Sequence, residues 1–398
     1  MEHAEKATHR ATREHNERLV VGTIYDDGPI SRADVARVTG LTRTTVSEVV
    51  VGLLDTGLVR EIGRGPSTGG KAPILLELPD RARIIVSLDL GESEFRGALV
   101  DLRGEVLRTV EMPVGGRDGE RALALVLELA DQLLAGAEGP VLGIGIGTPG
   151  LIDSAEGTVL RAVNLDWRDL PLGRLLRERH GLPVHVANDS QACALAEHVF
   201  GEIRGRNLVA IKVGQGIGAG LVLNGELYQG DGHGAGEIGH TTVDRDGERC
   251  RCGSRGCLET VASTRAVLWR IAAASRASAT GTLDEAVAAF RAGEEPARSV
   301  VLEAGERLGW AIAALVGALN VHRIVVTGTM ATFGDDWLAA ARDGMAHGAF
   351  PALVRDTTLE IGRIDDIVLR GASALLLTRE LGLSLRPIVR AARTRGLA

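Results

Sequence analysis

Along the first 80 residues, apolar positions recur at helical spacing in three successive segments. The first segment ends at 27–29, an Asp-Gly-Pro sequence that interrupts a helix. Ser31 is a favourable N-cap for the second segment, and Thr42 is one for the third, which extends from Arg43 to about Asp55. Helices in this order predict a helix-turn-helix.

The outer side of the third predicted helix carries polar side chains suited to DNA. Val46, Val50 and Leu53 lie on its apolar side, so the polar residues of its first turns point away from the core. In a helix-turn-helix, such outward positions contact base edges. The predicted DNA contacts of this helix are Thr42, Arg43, Thr44, Thr45 and Ser47.

Two short apolar runs, 58–62 and 74–78, enclose a glycine-rich loop and predict two strands with a wing between them. Cations, hydroxyls and backbone amides in such a loop suit phosphate or minor-groove contacts. The predicted contacts are Arg64, Ser67, Thr68, Gly69, Gly70 and Lys71. Residues 1–80 hold ten Lys and Arg against twelve Asp and Glu, so they lack a broad basic surface. A protein-interaction role for this fold is therefore an alternative.

From Arg83 onward, buried strands alternate with helices, and the pattern occurs twice. Each half begins with three consecutive strands and continues with helices and further strands. The repetition predicts an α/β fold of two lobes with a cleft between them. We expect domains at 1–80, 81–190 and 191–398, with the last helix able to pack back on the first lobe.

Composition limits the classes of partner. The net charge of −7 and the pI near 5.9 exclude a broadly cationic surface, so any contact with DNA must be local. Aromatic residues make up only 3% of the chain, which does not favour a carbohydrate site built on stacked Trp side chains. Without a signal peptide or a long apolar run, we expect a cytoplasmic protein with no membrane partner.

A glycine-rich segment, 234–259, contains a cluster of potential metal ligands. One imidazole and three thiolates match the tetrahedral shell of a structural zinc, so we predict one Zn²⁺ per chain. The predicted ligands are His240, Cys250, Cys252 and Cys257. Disulfides are not expected, because the first two cysteines of the cluster are too close in sequence and the compartment is reducing. Incidental thiols in a glycine-rich loop are the alternative.

Several motifs along nearly the whole chain resemble those of the ROK family of repressors, open reading frames and kinases, specifically its repressor branch with an N-terminal winged helix. The motifs lie at Ser67-Thr68-Gly69-Gly70, Asp89-Leu90-Gly91, 145–150, Asn188-Asp189, 214–220, 236–240 and the Cys cluster ending in Glu259. The resemblance implies an actin/Hsp70/sugar-kinase-like fold, with a hexose-like ligand between two lobes and a structural zinc beside it.

The resemblance also implies a sugar site. Its residues are Pro149, Gly150, Asn188, Asp189, Glu237, His240 and Glu259. Such groups hydrogen-bond hydroxyls selectively, because a wrongly placed hydroxyl leaves a buried polar group unpaired. His240 is implied as both sugar neighbour and zinc ligand, one ring nitrogen for each. Without the resemblance, the alternative interpretation of Glu237 and Glu259 is that they are solvated carboxylates of a loop.

Whether the lobes retain kinase activity depends on the phosphate loops. Asp189 matches the family's general base, and further positions match phosphate-binding ones: Asp89, Gly91, Gly214, Gly216 and Gly218. However, Glu92 and Glu94 follow where family kinases have glycine and a basic residue, and these carboxylates are expected to repel a triphosphate. We therefore expect a vestigial kinase that is not an enzyme. An ATP-dependent sugar kinase that also binds DNA is the alternative.

Together these features predict a DNA-binding repressor of carbohydrate-metabolism genes that responds to a sugar bound between the lobes. A symmetric dimer would place two winged helices on successive major grooves of a palindromic operator, and a tetramer is also open. Release of DNA by the sugar is what the resemblance implies, although a ligand favours whichever state it binds better. A regulator for which zinc itself is the signal is a third possibility.

Overall fold

The structure, a computed structural model, describes residues 9–66, 72–201, 205–276 and 281–383. Its N-terminal part is a winged helix whose three strands pair antiparallel in the order β1-β3-β2. The elements are α1 (His9–Asp27), β1 (Ile30–Ser31), α2 (Arg32–Thr39), α3 (Arg43–Asp55), β2 (Arg60–Arg64) and β3 (Ile74–Glu77).

Both predicted N-caps of the helix-turn-helix are confirmed. The Ser31 hydroxyl accepts a hydrogen bond from the backbone N–H of Asp34, and Thr42 does the same for Thr45. Strand β2 begins two residues later than predicted. Leu58 and Val59 instead complete the turn after α3, because both of their N–H groups donate to the carbonyl of Leu53.

The first lobe is built on a five-stranded mixed sheet in the order β11-β7-β4-β5-β6. A three-stranded antiparallel sheet, β10-β9-β8, was not predicted, because its strands are short and interrupted by polar residues. The elements are β4 (Ile84–Leu90), β5 (Glu94–Val100), β6 (Val106–Pro113), α4 (Gly119–Ala135), β7 (Val141–Thr148), β8 (Leu151–Asp153), β9 (Thr158–Ala162), β10 (Trp167–Leu170), α5 (Leu172–His180) and β11 (Val184–Asn188).

The second lobe repeats this topology, with a sheet in the order β14-β13-β12-β15-β16. In each lobe the first three strands form an antiparallel meander and the last two are added in parallel. The elements from 189 onward are α6 (Asp189–Val199), β12 (Leu208–Val213), β13 (Ile217–Leu223), β14 (Glu226–Tyr228), α7 (Glu259–Ala262), α8 (Thr264–Ala274), α9 (Leu283–Arg291), α10 (Ala297–Leu319), β15 (Arg323–Thr327), α11 (Asp335–Gly348), α12 (Pro351–Arg355), β16 (Thr358–Ile361) and α13 (Ile367–Glu380). Short 3₁₀ turns occur at Val163–Leu165, Ile238–His240 and Thr329–Phe333.

Two helices exchange partners between the lobes. Helix α6 follows a first-lobe strand but packs on β12 and β13, whereas α13 follows a second-lobe strand but packs on β4 and β7. The two helices also pack on each other, and small residues permit the close approach. A Cβ atom at Gly371 would lie 1.9 Å from the carbonyl oxygen of Ala192. Movement of one lobe against the other is therefore movement of α6 against α13.

The winged helix shares an apolar core with the first lobe. Val20 and Ile24 of α1 belong to the same cluster of buried side chains as Leu102 of the first lobe and Leu376 of α13. At its edge, the Tyr25 hydroxyl donates to the carbonyl of Leu102 at 2.8 Å. We call this contact region the junction. Among the described residues, none of the helices is both long and apolar enough to cross a bilayer.

Candidate functional site

The predicted ligand residues of the first lobe lie where parallel strands end. Asp89 is near the end of β4, Pro149 and Gly150 follow β7, and Asn188 is the last residue of β11. Ligands of open α/β sheets bind at the carboxyl ends of such strands. The fold therefore brings these separated segments to one edge of the first-lobe sheet, facing the cleft.

Asn188 uses its side chain to hold this edge together. Its Nδ2 donates to the carbonyl of Gly150 at 2.9 Å, and its Oδ1 accepts from the N–H of Ser190 at 2.8 Å, which caps α6. Gly150 has φ 104, and a Cβ atom there would lie 2.2 Å from the carbonyl of Arg161. Both residues thus have a structural role in shaping the cleft, whatever ligand it accepts.

Asp189 is paired with a lysine from the second lobe. Its Oδ2 lies 2.5 Å from Nζ of Lys212, and its Oδ1 accepts from the N–H of Ser190 at 2.8 Å. Both side chains are largely buried, with exposed fractions of 14% for Asp189 and 26% for Lys212. An ion pair shielded from water in this way is screened little by salt.

Asp89 contributes a second carboxyl group to the same place. Burial raises its pKa to about 6; Lys212 opposes this shift and the charge of Asp189 adds to it. Lys212 has a pKa raised above its usual value, because the attraction of Asp189 and Asp89 outweighs the opposing effect of burial. One cation thus serves two carboxyl groups at the base of the cleft.

Glu237, His240 and Glu259 come from the second lobe. Nε2 of His240 lies 3.8 Å from Oε2 of Glu237, and burial raises the pKa of Glu237. Glu259 is held from two sides, by the N–H of Ile217 at 3.3 Å and by Arg265 at 3.5 Å. These residues leave polar atoms at the cleft, as a hydroxyl-binding surface requires.

The four predicted metal ligands come together. Nδ1 of His240 lies 3.6 Å from Sγ of Cys250, and Sγ of Cys252 lies 3.7 Å from Sγ of Cys257. All four ligand atoms lie within 4.8 Å of one another. Tetrahedral zinc with bonds of about 2.3 Å to sulfur separates its thiolates by about 3.7 Å. The residues therefore fit a tetrahedral metal ion, and the two ring nitrogens of His240 face the cysteines and Glu237 separately.

Residues 240–257 carry the four candidate metal ligands, and we call this segment the metal loop. Glycines determine its fold. Gly256 has φ 64, and a Cβ atom there would lie 1.4 Å from the carbonyl oxygen of Asp244. That close approach brings Cys257 beside the segment that begins at Asp244. A side chain at position 256 would separate the ligands, so the glycine is required for the grouping itself.

The glycine-rich turn between β12 and β13 also has a packing explanation. A Cβ atom at Gly218 would lie 2.4 Å from the hydroxyl oxygen of Ser190, and one at Gly216 would lie 2.9 Å from Oε2 of Glu259. Gly214 donates its N–H to the carbonyl of Gly216, which closes the turn. The glycines therefore place the turn against the start of α6, independently of any phosphate.

Glu92 does not present a free negative charge. Its carboxylate lies 3.1 Å from Arg251 and 3.2 Å from Arg265, and Asn164 donates to it at 3.4 Å. Both arginines belong to the second lobe, so we call this group the inter-lobe ion cluster. The two guanidinium groups offset the charge of Glu92, which weakens the expectation that this residue repels a triphosphate.

Sequence reasoning missed the cations of the cleft, which are Lys212, Arg251 and Arg265. A signal was available for Lys212, since it is the single polar residue of the otherwise apolar strand β12. Arg251 lies between two cysteines of the metal loop, and Arg265 bridges Glu92 and Glu259. Nothing in the local sequence around the arginines distinguishes them from solvated side chains.

The predicted DNA contacts of α3 lie on its outer face. Arg43, Thr44 and Ser47 are exposed, while Val46 and Val50 are buried beneath them. Thr42 and Thr45 share a hydrogen bond of 2.9 Å between their hydroxyls, so both take part in the cap. Arg64 ends β2 and is exposed. The remaining predicted wing contacts lie outside the described residues: Ser67, Thr68, Gly69, Gly70 and Lys71.

Comparison with known proteins gives concordant results. A family model described as the ROK family matches residues 85–378. The chain is 33% identical over 388 residues to a xylose repressor of Caldicellulosiruptor bescii, covering 93% of this chain and 97% of that protein. It is 34% identical over 301 residues to a glucokinase of Halalkalibacterium halodurans, covering 71% of this chain and 91% of the kinase.

A solved structure agrees over nearly the full length. The crystal structure of a ROK family transcriptional regulator, a homolog of the Escherichia coli MLC protein, superposes with a TM-score of 0.82 at 29% identity. The match covers 94% of this chain and 98% of that one, so it extends beyond the two lobes. The predicted fold, in which N-terminal helices precede two sugar-kinase-like lobes along the chain, is confirmed.

Proposed function

Because the chain belongs to the ROK family, we propose that it is a DNA-binding transcriptional repressor of carbohydrate-metabolism genes, and that a sugar bound between its lobes modulates operator binding. The observation that carries the proposal is the combination of an exposed polar face on α3 with a polar cleft in one chain. The similarity of this chain to a xylose repressor over nearly the full length of both proteins supports the same function.

The cleft supports a small polyhydroxylated ligand. Asp189, Glu237 and Glu259 supply carboxylate oxygens, and His240 and Lys212 supply nitrogen atoms, all from elements that converge on the ends of strands. Acceptors and donors at fixed positions select one arrangement of hydroxyl groups. The class of ligand we propose is therefore a free sugar or a simple sugar derivative.

Closure of the lobes links the ligand to the inter-lobe ion cluster. Arg265 contacts Glu259 at the sugar site and Glu92 on the first lobe. A sugar that hydrogen-bonds Glu259 and Asp189 together would favour the arrangement in which the lobes approach. A ligand shifts such an equilibrium by its difference in affinity for the two arrangements.

The path from cleft to DNA is short. Helix α6 begins at the sugar site and packs on α13. Leu376 and Leu377 of α13, and Leu381 just after its end, belong to the junction with the winged helix. Rotation of the second lobe together with α6 would therefore displace the unit formed by the first lobe, α13 and the winged helix. In a dimer or tetramer, that change would alter the spacing of two recognition helices on the operator.

The test of this function is fluorescence anisotropy of the full chain on labelled DNA from its own upstream region, at stated salt. Titration with xylose, glucose, N-acetylglucosamine and short oligosaccharides should release or tighten the complex with one of them. Saturable DNA binding that no sugar alters would contradict the sugar-responsive part, and absence of DNA binding would contradict the whole proposal.

Asp189→Asn provides a matched test of the cleft. The substitution keeps the size of the side chain but removes its charge, so the sugar response should weaken by about tenfold or more while operator affinity is unchanged. Asp231→Asn, at an exposed residue of the second lobe, is the control. An Asp189→Asn variant with the full sugar response would exclude Asp189 from the site.

For the metal loop we propose one structural Zn²⁺, held by His240, Cys250, Cys252 and Cys257. When bound, the ion would fix the loop that carries Arg251 beside the cleft. Cys252→Ser should reduce the zinc content of the purified protein from one per chain to near zero, measured by atomic emission, and Cys193→Ser should not. Unchanged zinc content in Cys252→Ser would contradict the ligand set.

An ATP-dependent sugar kinase is the second candidate, favoured by the match to a glucokinase over 91% of that enzyme. The offset charge of Glu92 weakens one objection to it. Coupled-enzyme assay of ADP formation with the same sugars distinguishes the two. Turnover with one sugar would establish the kinase, whereas sugar-dependent DNA binding without ADP formation is expected of the repressor.

A further inference from the structure

Lys212 is the only charged residue in β12, and its partner lies at the start of α6. The five other residues of the strand are Leu208, Val209, Ala210, Ile211 and Val213, all buried. Placing a lysine in such a strand costs solvation free energy unless a partner compensates for it. The partner is Asp189, whose Oδ2 lies 2.5 Å from Nζ of Lys212, so the two side chains form an ion pair at the base of the cleft.

The second oxygen of Asp189 is also engaged. Its Oδ1 accepts from the N–H of Ser190 at 2.8 Å and lies 3.3 Å from the hydroxyl of the same residue. Contacts at both oxygens hold the carboxylate in one orientation. A general base must accept a proton from the reacting hydroxyl, and here Nζ of Lys212 already occupies Oδ2 of Asp189 at 2.5 Å.

We propose that Lys212 is a positioning and specificity-determining residue: its ammonium group occupies Oδ2 of Asp189 and holds this side chain as an acceptor for a ligand hydroxyl rather than as a base that activates one. This inference rests on the proposed function of the cleft as a sugar site. It adds that the cleft is built to hold a ligand hydroxyl rather than to activate one.

Lys212 also offers hydrogen-bond donors of its own. An ammonium group has three donors, and the contact with Asp189 uses one of them. The side chain is 26% exposed, so the remaining donors can reach an oxygen of the ligand. The Asp189–Lys212 pair therefore presents an acceptor and a donor side by side, which suits two adjacent hydroxyl groups.

The test compares Lys212→Met with Lys212→Arg in the full chain. Methionine keeps the apolar stem and removes the charge, whereas arginine keeps the charge. In Lys212→Met, we expect the sugar concentration for half-maximal release or tightening of operator DNA to rise about tenfold or more, and in Lys212→Arg to rise less than about threefold.

A second readout needs no ligand. Burial and the neighbouring Asp189 raise the pKa of Asp89, and Lys212 opposes that rise. Without Lys212, the pKa of Asp89 beside Asp189 should therefore rise further above its value in the unfolded chain. A raised pKa stabilises the fold at low pH, and that stabilisation disappears as the pH rises through the folded-state pKa. The other titratable groups facing this pair are Arg96, Glu94, Cys193 and Glu237.

Urea unfolding should therefore show Lys212→Met losing stability, relative to the wild type, progressively as the pH rises above the wild-type pKa of Asp89, about 6. Lys212→Arg should follow the wild-type pH profile. A loss of stability in Lys212→Met that is the same at every pH would overturn the electrostatic role and leave only a packing one.

The two readouts separate the failures. If no sugar affects operator binding by the wild type, the proposed function fails, yet the pH profile still decides whether Lys212 holds the carboxyl groups. If the wild type responds to a sugar and Lys212→Met responds equally well, the inference about Lys212 is overturned and the proposed function stands. ADP formation by Lys212→Arg with that sugar would likewise overturn it.

Discussion

The junction and the cleft are both contacts between domains, but they are built from different chemistry. At the junction, Ile24, Leu102 and Leu376 belong to one apolar cluster, and each of these three side chains is 0% exposed. At the cleft, the lobes meet through Glu92 with Arg251 and Arg265, and the Asp189–Lys212 pair joins the start of α6 to β12 at its base. The junction excludes water, whereas the arginines of the cleft are 33–50% exposed.

This difference indicates where the molecule can move. Opening an apolar contact exposes surface to water at a cost of about 25 cal/mol for each Å². Partly exposed ion pairs contribute about 0–1 kcal/mol each, and water replaces them readily. We therefore expect the winged helix and the first lobe to move as one body, and the ligand-dependent motion to occur at the cleft.

Leu102→Ala should have the largest effect, because it removes a fully buried side chain from the junction. We expect a loss of about 2–5 kcal/mol in the free energy of unfolding, measured in urea. Operator affinity should fall as the support of α1 weakens. Val163→Ala, at a residue that is 53% exposed in the same lobe, is the control and should change stability little.

The shape of that unfolding curve also tests the comparison. If winged helix and first lobe form one body, Leu102→Ala should lower their common transition. A separate early transition of the winged helix, with the lobes as stable as in the wild type, would show that the junction is not a single cooperative core.

Arg103→Met should have an intermediate effect at the polar edge of the junction. The guanidinium carbon lies 3.9 Å from the centre of the Tyr25 ring, and the group also contacts Asp80 at 3.0 Å and the carbonyl of Tyr25 at 2.9 Å. Losing these contacts should reduce stability by about 1–2 kcal/mol. Arg168→Met, at an exposed first-lobe arginine, should lie close to the wild type in the same urea experiment.

Glu92→Gln should have the smallest effect on stability, within about 1 kcal/mol, because the arginines it releases can be solvated. Its effect should instead appear in sugar affinity, which we expect to fall by about two- to fivefold at low salt and less at high salt. Isothermal titration at two ionic strengths measures this. Glu94→Gln is the neighbouring control, and equal effects of both variants would exclude a specific role for the inter-lobe ion cluster.

Local patterns were sufficient for much of the fold. Ser31 and Thr42 predicted helix starts because capping involves atoms only three residues away. The strands 84–90 and 208–213 were predicted because a buried strand requires a continuous apolar run. The sheet β8–β10 was missed, since its short strands are stabilised by pairing with each other rather than by their own composition.

The site was predicted less completely than the fold. The grouping of the four candidate metal ligands could be predicted because they lie within one short segment, and the motif resemblance supplied the candidate sugar ligands. The charges of the cleft could not be found in this way: Glu92 precedes Arg251 by 159 positions. Such a distance in sequence leaves no local trace, so the carboxylate was interpreted without its partners.

The sequence by itself determined the helix-turn-helix, the longer buried strands, the family, the candidate metal-ligand cluster and the polar face of α3, because each depends on residues close together along the chain or on an extended motif. Only the tertiary structure decided how the charges of the cleft are balanced, how α6 and α13 exchange lobes and how the winged helix is attached. These features depend on side chains brought together by folding, where burial and a neighbour of opposite charge decide what an ionisable group can do.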